Sequence, residues 1–126
     1  MTTPPNTVLY IDADEMNRQV VSDMLAVDGV TVRCVATRRD ALALAEQHRP
    51  EITLVDYRAG EGDDLRSLID FRSRLAALHS TKLVVMIALF DDHINTILAS
   101  LGFGHVLRRP VAMDTLLDTV RLLQPR

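Results

Sequence analysis

The sequence has no tryptophan, and aromatic residues fill only 4% of its 126 positions. Surfaces that read single-stranded nucleic acid by stacking bases on rings need more than that. A single cysteine, Cys34, excludes an internal disulfide and fits a reducing cytoplasm. No apolar run approaches the roughly 20 residues of a membrane span. The opening Met1-Thr2-Thr3-Pro4-Pro5 lacks the basic start and apolar stretch of a signal peptide. Neither sign of charge dominates: fourteen basic and seventeen acidic side chains leave a net charge of -3, with no general attraction to DNA or an anionic membrane. The four histidines, His48, His79, His93 and His105, are scattered without zinc-ligand spacing.

What is present is an ordinary globular balance of 48% hydrophobic and 25% charged residues. It predicts one domain over residues 1–126 that buries its core without metal or disulfide staples. Short β-branched runs alternate with longer amphipathic ones. Strands are expected at Thr7–Ile11, Thr31–Val35, Glu51–Val55, Lys82–Ile87 and His105–Arg108. Their apolar runs lack clean polar alternation, as in a parallel sheet covered on both faces.

Between them, Met16 to Asp28 places Val20, Val21, Met24 and Leu25 on one helical stripe, with Gly29 as a stop. Thr37 and Asp40 form a capping-box pattern ahead of Ala41, Leu42 and Ala45, and Pro50 ends that helix. Further helices are expected at Asp64–Leu78, Asp92–Leu101 and Asp114–Leu123. Met24, Met86 and Cys34 read as core-filling side chains. Five β-α units joined by short loops argue for a doubly wound α/β domain with five helices, and for five strands ordered 2-1-3-4-5 the order reverses between strands one and three.

In such a sheet the site lies beyond the carboxyl ends of the strands, where the strand order reverses. That point falls between strands one and three, so Asp12 and Asp56 are expected side by side. Grouped carboxylates suit a hard cation such as Mg²⁺. No glycine-rich loop follows the first strand, which argues against a nucleotide cradle, and the acidic turn there would repel the phosphate of a flavin. Asp14 is expected to cap the first helix.

Val8-Leu9-Tyr10-Ile11-Asp12, the Met16-Asn17-Arg18 helix start, the run from His48 to Arg58 containing Val55-Asp56, and Gly102 seven residues before Arg109-Pro110 together resemble the receiver domain of bacterial response regulators, the CheY-like family. The resemblance covers essentially the whole chain and implies the flavodoxin-like fold. It implies that Asp56 stands at the phospho-acceptor position for a histidine kinase. It also implies that Asp12, Asp56 and the backbone carbonyl of Arg58 are the Mg²⁺ ligands. The lysine that binds phosphoryl oxygens, ahead of a proline usually joined by a cis bond, is replaced by Arg109. The implied role is signal transduction through partner proteins rather than enzymatic turnover.

Several family features are missing. The second acidic position is Ala13, and Asp14 is one residue too far on. The hydroxyl residue ending the fourth strand falls on Ile87 or on Ala88, neither of which carries a hydroxyl. The aromatic switch residue of the fifth strand is Val106. The loop after the acceptor, Ala59-Gly60-Glu61-Gly62-Asp63-Asp64, has two glycines and no proline, and reads as looser than usual.

Losing a hydroxyl donor to a charged oxygen costs about 1.5–3 kcal/mol, and a lost metal carboxylate adds to it. Together they correspond to roughly two to four decades of phosphorylation rate. The reading is a degenerate receiver with weak Mg²⁺ binding, in which Arg109 pairs with Asp56 or Asp12 as an internal counter-ion. The expected partners are a histidine kinase, phosphotransferase or effector, with neither DNA nor membrane. A homodimer face is expected on helix four, strand five and helix five, near Ile94, Leu98, Val111 and Leu117.

Two alternatives stay open. One is a working Asp56 and Mg²⁺ phospho-acceptor. The other is a cyclic-dinucleotide module, because the basic side is almost all arginine: Arg33 with Arg38-Arg39, Arg72 with Arg74, and Arg108-Arg109.

Overall fold

The computed structural model describes residues 7–59, 61–87 and 92–124. The strands are β1 (Thr7–Ile11), β2 (Thr31–Val35), β3 (Ile52–Tyr57), β4 (Lys82–Ile87) and β5 (Val106–Arg108). The helices are α1 (Glu15–Ala26), α2 (Arg38–His48), α3 (Leu65–Leu78), α4 (Asp92–Ser100) and α5 (Met113–Leu123). The sheet is wholly parallel, in the order β2-β1-β3-β4-β5.

Strand alternation sorts the core into two layers. Val8, Tyr10, Ile52, Leu54, Val84 and Met86 pack with Val21, Leu25, Leu116 and Val120 of α1 and α5. Leu9, Ile11, Val55, Tyr57, Val85 and Ile87 pack with Ala41, Leu68, Phe71 and Leu98 of α2, α3 and α4. Both faces of β1 and β3 are covered, and every residue of these two strands is buried. That is why their sequences show runs rather than alternation.

The caps follow the sequence. Asp14 accepts from the Met16 and Asn17 N–H groups at 2.8 and 3.2 Å, and Thr37 Oγ1 accepts from Asp40 N–H at 3.0 Å. Asp64 Oδ1 accepts from Ser67 N–H at 2.7 Å and starts α3. Each satisfies orphan donors of a first turn. α2 ends at His48, and Arg49 takes the left-handed conformation (φ 48°) ahead of Pro50.

Three expectations need correction. β3 runs on through Asp56 and Tyr57, which take the register partners Met86 and Ile87, so the acceptor-position aspartate is the fifth residue of a strand rather than the first beyond it. Val20 is 44% exposed and lies off the buried stripe of α1, which consists of Val21 and Leu25. Leu98 and Leu117 are core residues, 0% and 5% exposed, so they cannot form a partner surface on α4, β5 and α5. Of that group only Ile94 and Val111 are half-exposed.

Candidate functional site

Adjacent parallel strands deliver Asp12 and Asp56 to the same sheet edge. Asp12 follows β1 directly, and its amide donates to the Val35 carbonyl at 3.1 Å. Its side chain continues the face of Val8 and Tyr10, as Asp56 continues that of Ile52 and Leu54. Both acids are buried, at 1% and 9% exposure.

Buried carboxylates require partners. Asp12 Oδ2 accepts from Tyr10 Oη at 2.6 Å, Arg109 Nη2 at 2.5 Å and Asn17 Nδ2 at 3.2 Å. Asp12 Oδ1 accepts from Asp14 N–H at 2.9 Å and Arg58 Nη2 at 3.3 Å. Asp56 Oδ2 accepts from Arg58 Nε at 2.5 Å. Asp56 Oδ1 lies 2.9 Å from Arg109 Nη2, at ion-pair distance but outside hydrogen-bond geometry. One nitrogen of Arg109 therefore bridges the two acids from one side, and Arg58 spans them from the other.

A third acid and a third guanidinium extend the network. Arg38, the first residue of α2, grips Asp63 through two nitrogens at 2.6 and 2.9 Å, and its Nη2 also donates to the Asp56 carbonyl at 3.1 Å. Asp63 Oδ2 accepts from Arg58 N–H at 3.1 Å, and the Arg58 carbonyl accepts from Glu61 N–H at 3.0 Å. The loop expected to be loose is thus tied down at Asp63. The backbone of Arg58 is committed to that loop.

The two acids respond differently. Burial pushes Asp12 up, but hydrogen bonds from Tyr10, Arg109 and Asp14 N–H outweigh it and bring its carboxyl down to about 2. Burial pushes Asp56 above its ordinary value, with Arg109 and Arg58 opposing and the Asp12 charge reinforcing. Tyr10 is driven far upward by burial and by its bond to Asp12, so it remains a donor.

The sequence expectations can now be placed. Asp12, Asp56 and Arg109 lie together at the ends of β1, β3 and β5, and the Arg109-Pro110 bond is cis. Ile87 does not join them. It is buried in the layer of Leu9, Val55 and Leu98, one register step past Met86, the partner of Asp56. Ala88 lies outside the described residues. Ala13 is exposed and adds no donor, and the Asp14 carboxylate is spent on the α1 cap.

The Arg58 side chain, not its carbonyl, reaches the acids, and the sequence reading missed this. Strand alternation carried the signal, because residues 56 and 58 fall on one face. Tyr10 was missed as well, and its signal was the same two-residue spacing ahead of Asp12.

The residues present do not fit Mg²⁺, which takes several oxygen ligands in octahedral array. Every carboxylate oxygen of the pair already faces a guanidinium. Among the described residues no group of three or more His, Cys, Asp or Glu is arranged to hold a metal ion.

The arginine patches are mostly engaged. Arg74 pairs with Asp70, Arg108 with Asp92, and Arg72 lies 3.9 Å over the Phe103 ring. Arg38 and Arg109 belong to the acid network.

A search of family models returns no match. The regulatory protein AtoC of Escherichia coli (strain K12) is 27% identical over 117 residues, covering 90% of this chain and 24% of its own length. This chain therefore spans about a quarter of that relative. Among solved structures, the signal receiver domain of a Luxo repressor protein from Vibrio parahaemolyticus superposes with a TM-score of 0.77 at 18% identity, covering 94% of this chain and 88% of that one. A response regulator from Thermotoga maritima gives 0.74 at 23% identity, covering 97% and 98%. The Vibrio cholerae chemotaxis protein CheY4 gives 0.68 at 21%, covering 93% and 97%. Five parallel strands in the order β2-β1-β3-β4-β5, flanked by five helices, give this chain the same fold as these solved structures.

Proposed function

We propose that this chain is a receiver module of two-component signalling in the cytoplasm that works by binding partner proteins, with little or no phosphorylation of Asp56. The partner classes are a histidine kinase, a phosphotransferase or an effector. The observation that carries the reading is that both Asp56 oxygens face guanidinium groups: Oδ2 accepts from Arg58 Nε at 2.5 Å, and Oδ1 lies at ion-pair distance, 2.9 Å, from Arg109 Nη2.

A carboxylate attacks phosphorus through a free oxygen and needs cations arranged around the incoming phosphoryl group. Here the cations neutralise the nucleophile instead. Arg109 keeps a positive charge at the lysine position, but a guanidinium bound to two carboxylates is not a mobile ammonium. The residue ending β4 is a buried isoleucine, and Val106 of β5 is a half-buried aliphatic packed on the same layer. A hydroxyl-to-aromatic relay has no counterpart in these two side chains.

Phosphotransfer from a promiscuous histidine kinase, with Mg²⁺ and radiolabelled ATP, tests this. The natural chain and Asp56→Asn should take up the same background label, and both should capture the same partner. Rapid labelling of the natural chain that Asp56→Asn abolishes would return the protein to the ordinary phospho-acceptor class.

A further inference from the structure

The acid pair is approached from two sides by arginines that differ in accessibility. The Arg109 side chain is 17% exposed, and its Nη2 touches Asp12 Oδ2 and Asp56 Oδ1. The Arg58 side chain is 35% exposed and touches the other oxygen of each acid, Asp56 Oδ2 at 2.5 Å and Asp12 Oδ1 at 3.3 Å. Arg58 therefore stands at the solvent side of the two carboxylates, in the position a bridging cation requires. Its nearest surroundings form a cavity of about 380 Å³ that includes Ala13, Ala36, Glu61 and Gly62. The methyl groups of Ala13 and Ala36 leave that space open.

The backbone of Arg58 is pinned by Asp63, which Arg38 holds in turn. Only its side chain is free to leave. Two carboxylates and two guanidiniums sum to zero charge, so a divalent ion gains nothing from long-range attraction and must displace a bidentate partner.

We infer that Arg58 is a built-in cation that takes the place of a divalent metal over Asp12 and Asp56, and that its side chain closes the solvent side of the pair to metal. This rests on reading the pair as the counterpart of a receiver's cation site. Arg109 supplies the permanent neutralisation from below, and Arg58 is the removable half. Any partner group that draws Arg58 aside would uncover two carboxylates at the top of the sheet.

Titration of the ¹⁵N-labelled protein with Mn²⁺ at neutral pH tests this, read from paramagnetic broadening of the Ala13, Tyr57 and Arg58 position amides. The natural chain should show only weak, non-saturating broadening. Arg58→Ala should saturate, with apparent affinity raised by about tenfold or more and broadening confined to the ends of β1 and β3. Arg39→Ala, an exposed α2 residue, controls for net charge and should behave as the natural chain does. Saturable broadening in the natural chain at the affinity of Arg58→Ala overturns the inference. So does an Arg58→Ala protein with a dispersed spectrum and no gain. If Arg58→Ala loses dispersion, Arg58→Gln, which keeps length and removes charge, is titrated and judged by the same criteria. Partner capture and phosphotransfer are separate readouts, so failure of the built-in cation is distinguishable from failure of the receiver reading.

Discussion

Tyr10 Oη donates to Asp12 Oδ2 at 2.6 Å across a two-residue step of one chain segment. Strand alternation sends both side chains toward α1 and α5, so a core tyrosine becomes the partner of a buried acid. The phenol ring packs with Val8, Ile52 and Val21 while its hydroxyl holds the carboxylate in place. Tyr10→Phe keeps the packing and removes one bond to a charged acceptor. It should cost about 2 kcal/mol in urea unfolding and raise the Asp12 carboxyl, measured by carboxyl-carbon NMR.

The two acids give opposite pH slopes. Asp12 falls from 3.8 to about 2 on folding, so the unfolded chain holds more protons in that window. Its contribution, about 2 kcal/mol, is present above 3.8 and is lost as pH falls toward 2. Asp56 is raised above 3.8, so the folded chain holds the extra proton. Its ionisation subtracts stability as pH rises from 3.8 through the higher folded value. Urea midpoints across the acid range should show Asp12→Asn losing the low-pH decline and Asp56→Asn losing the decline on the other side.

Arg109→Met should destabilise by about 3–5 kcal/mol, because it leaves Asp12 and Asp56 buried side by side without their shared counter-ion. Adding Asp12→Asn and Asp56→Asn to that variant should recover much of the loss. Arg109→Lys should fall between the two, since a single ammonium cannot reproduce the planar contact with both acids. Thermal and urea unfolding of the series decide this.

Ile87→Thr tests whether a hydroxyl at this position restores receiver chemistry. Ile87 is 2% exposed and faces the α2–α4 layer rather than the acid pair. The substitution should cost about 1–3 kcal/mol for a buried hydroxyl and lost packing. Acetyl phosphate labelling should stay at the level of the natural chain.

Arg49 closes α2 with φ 48°, and its amide donates to the Ala45 carbonyl. A side chain in this region is strained, and glycine is not. Arg49→Gly should raise stability by about 0.5–1 kcal/mol, the relief being partly offset by the freer unfolded chain. Chemical denaturation reads the difference directly.

Periodicity and capping residues in the linear sequence determined the five β-α units and their succession along the chain, while the strand order that sets Asp12 beside Asp56 came with the family resemblance. Apolar runs of strand length can be buried only in a sheet covered on both sides. Asp14 and Thr37 cap neighbours two or three residues away, so local spacing suffices for them. Tertiary structure decided which groups neutralise the acids. Arg58 meets Asp12 across 46 positions and Arg109 meets it across 97. A flexible arginine has too many rotamers for spacing to settle its partner, and only the closed sheet brings the competing carboxylates within reach. The face of Ile87 was decided in the same way, by a β3–β4 register that no stretch of either strand encodes alone.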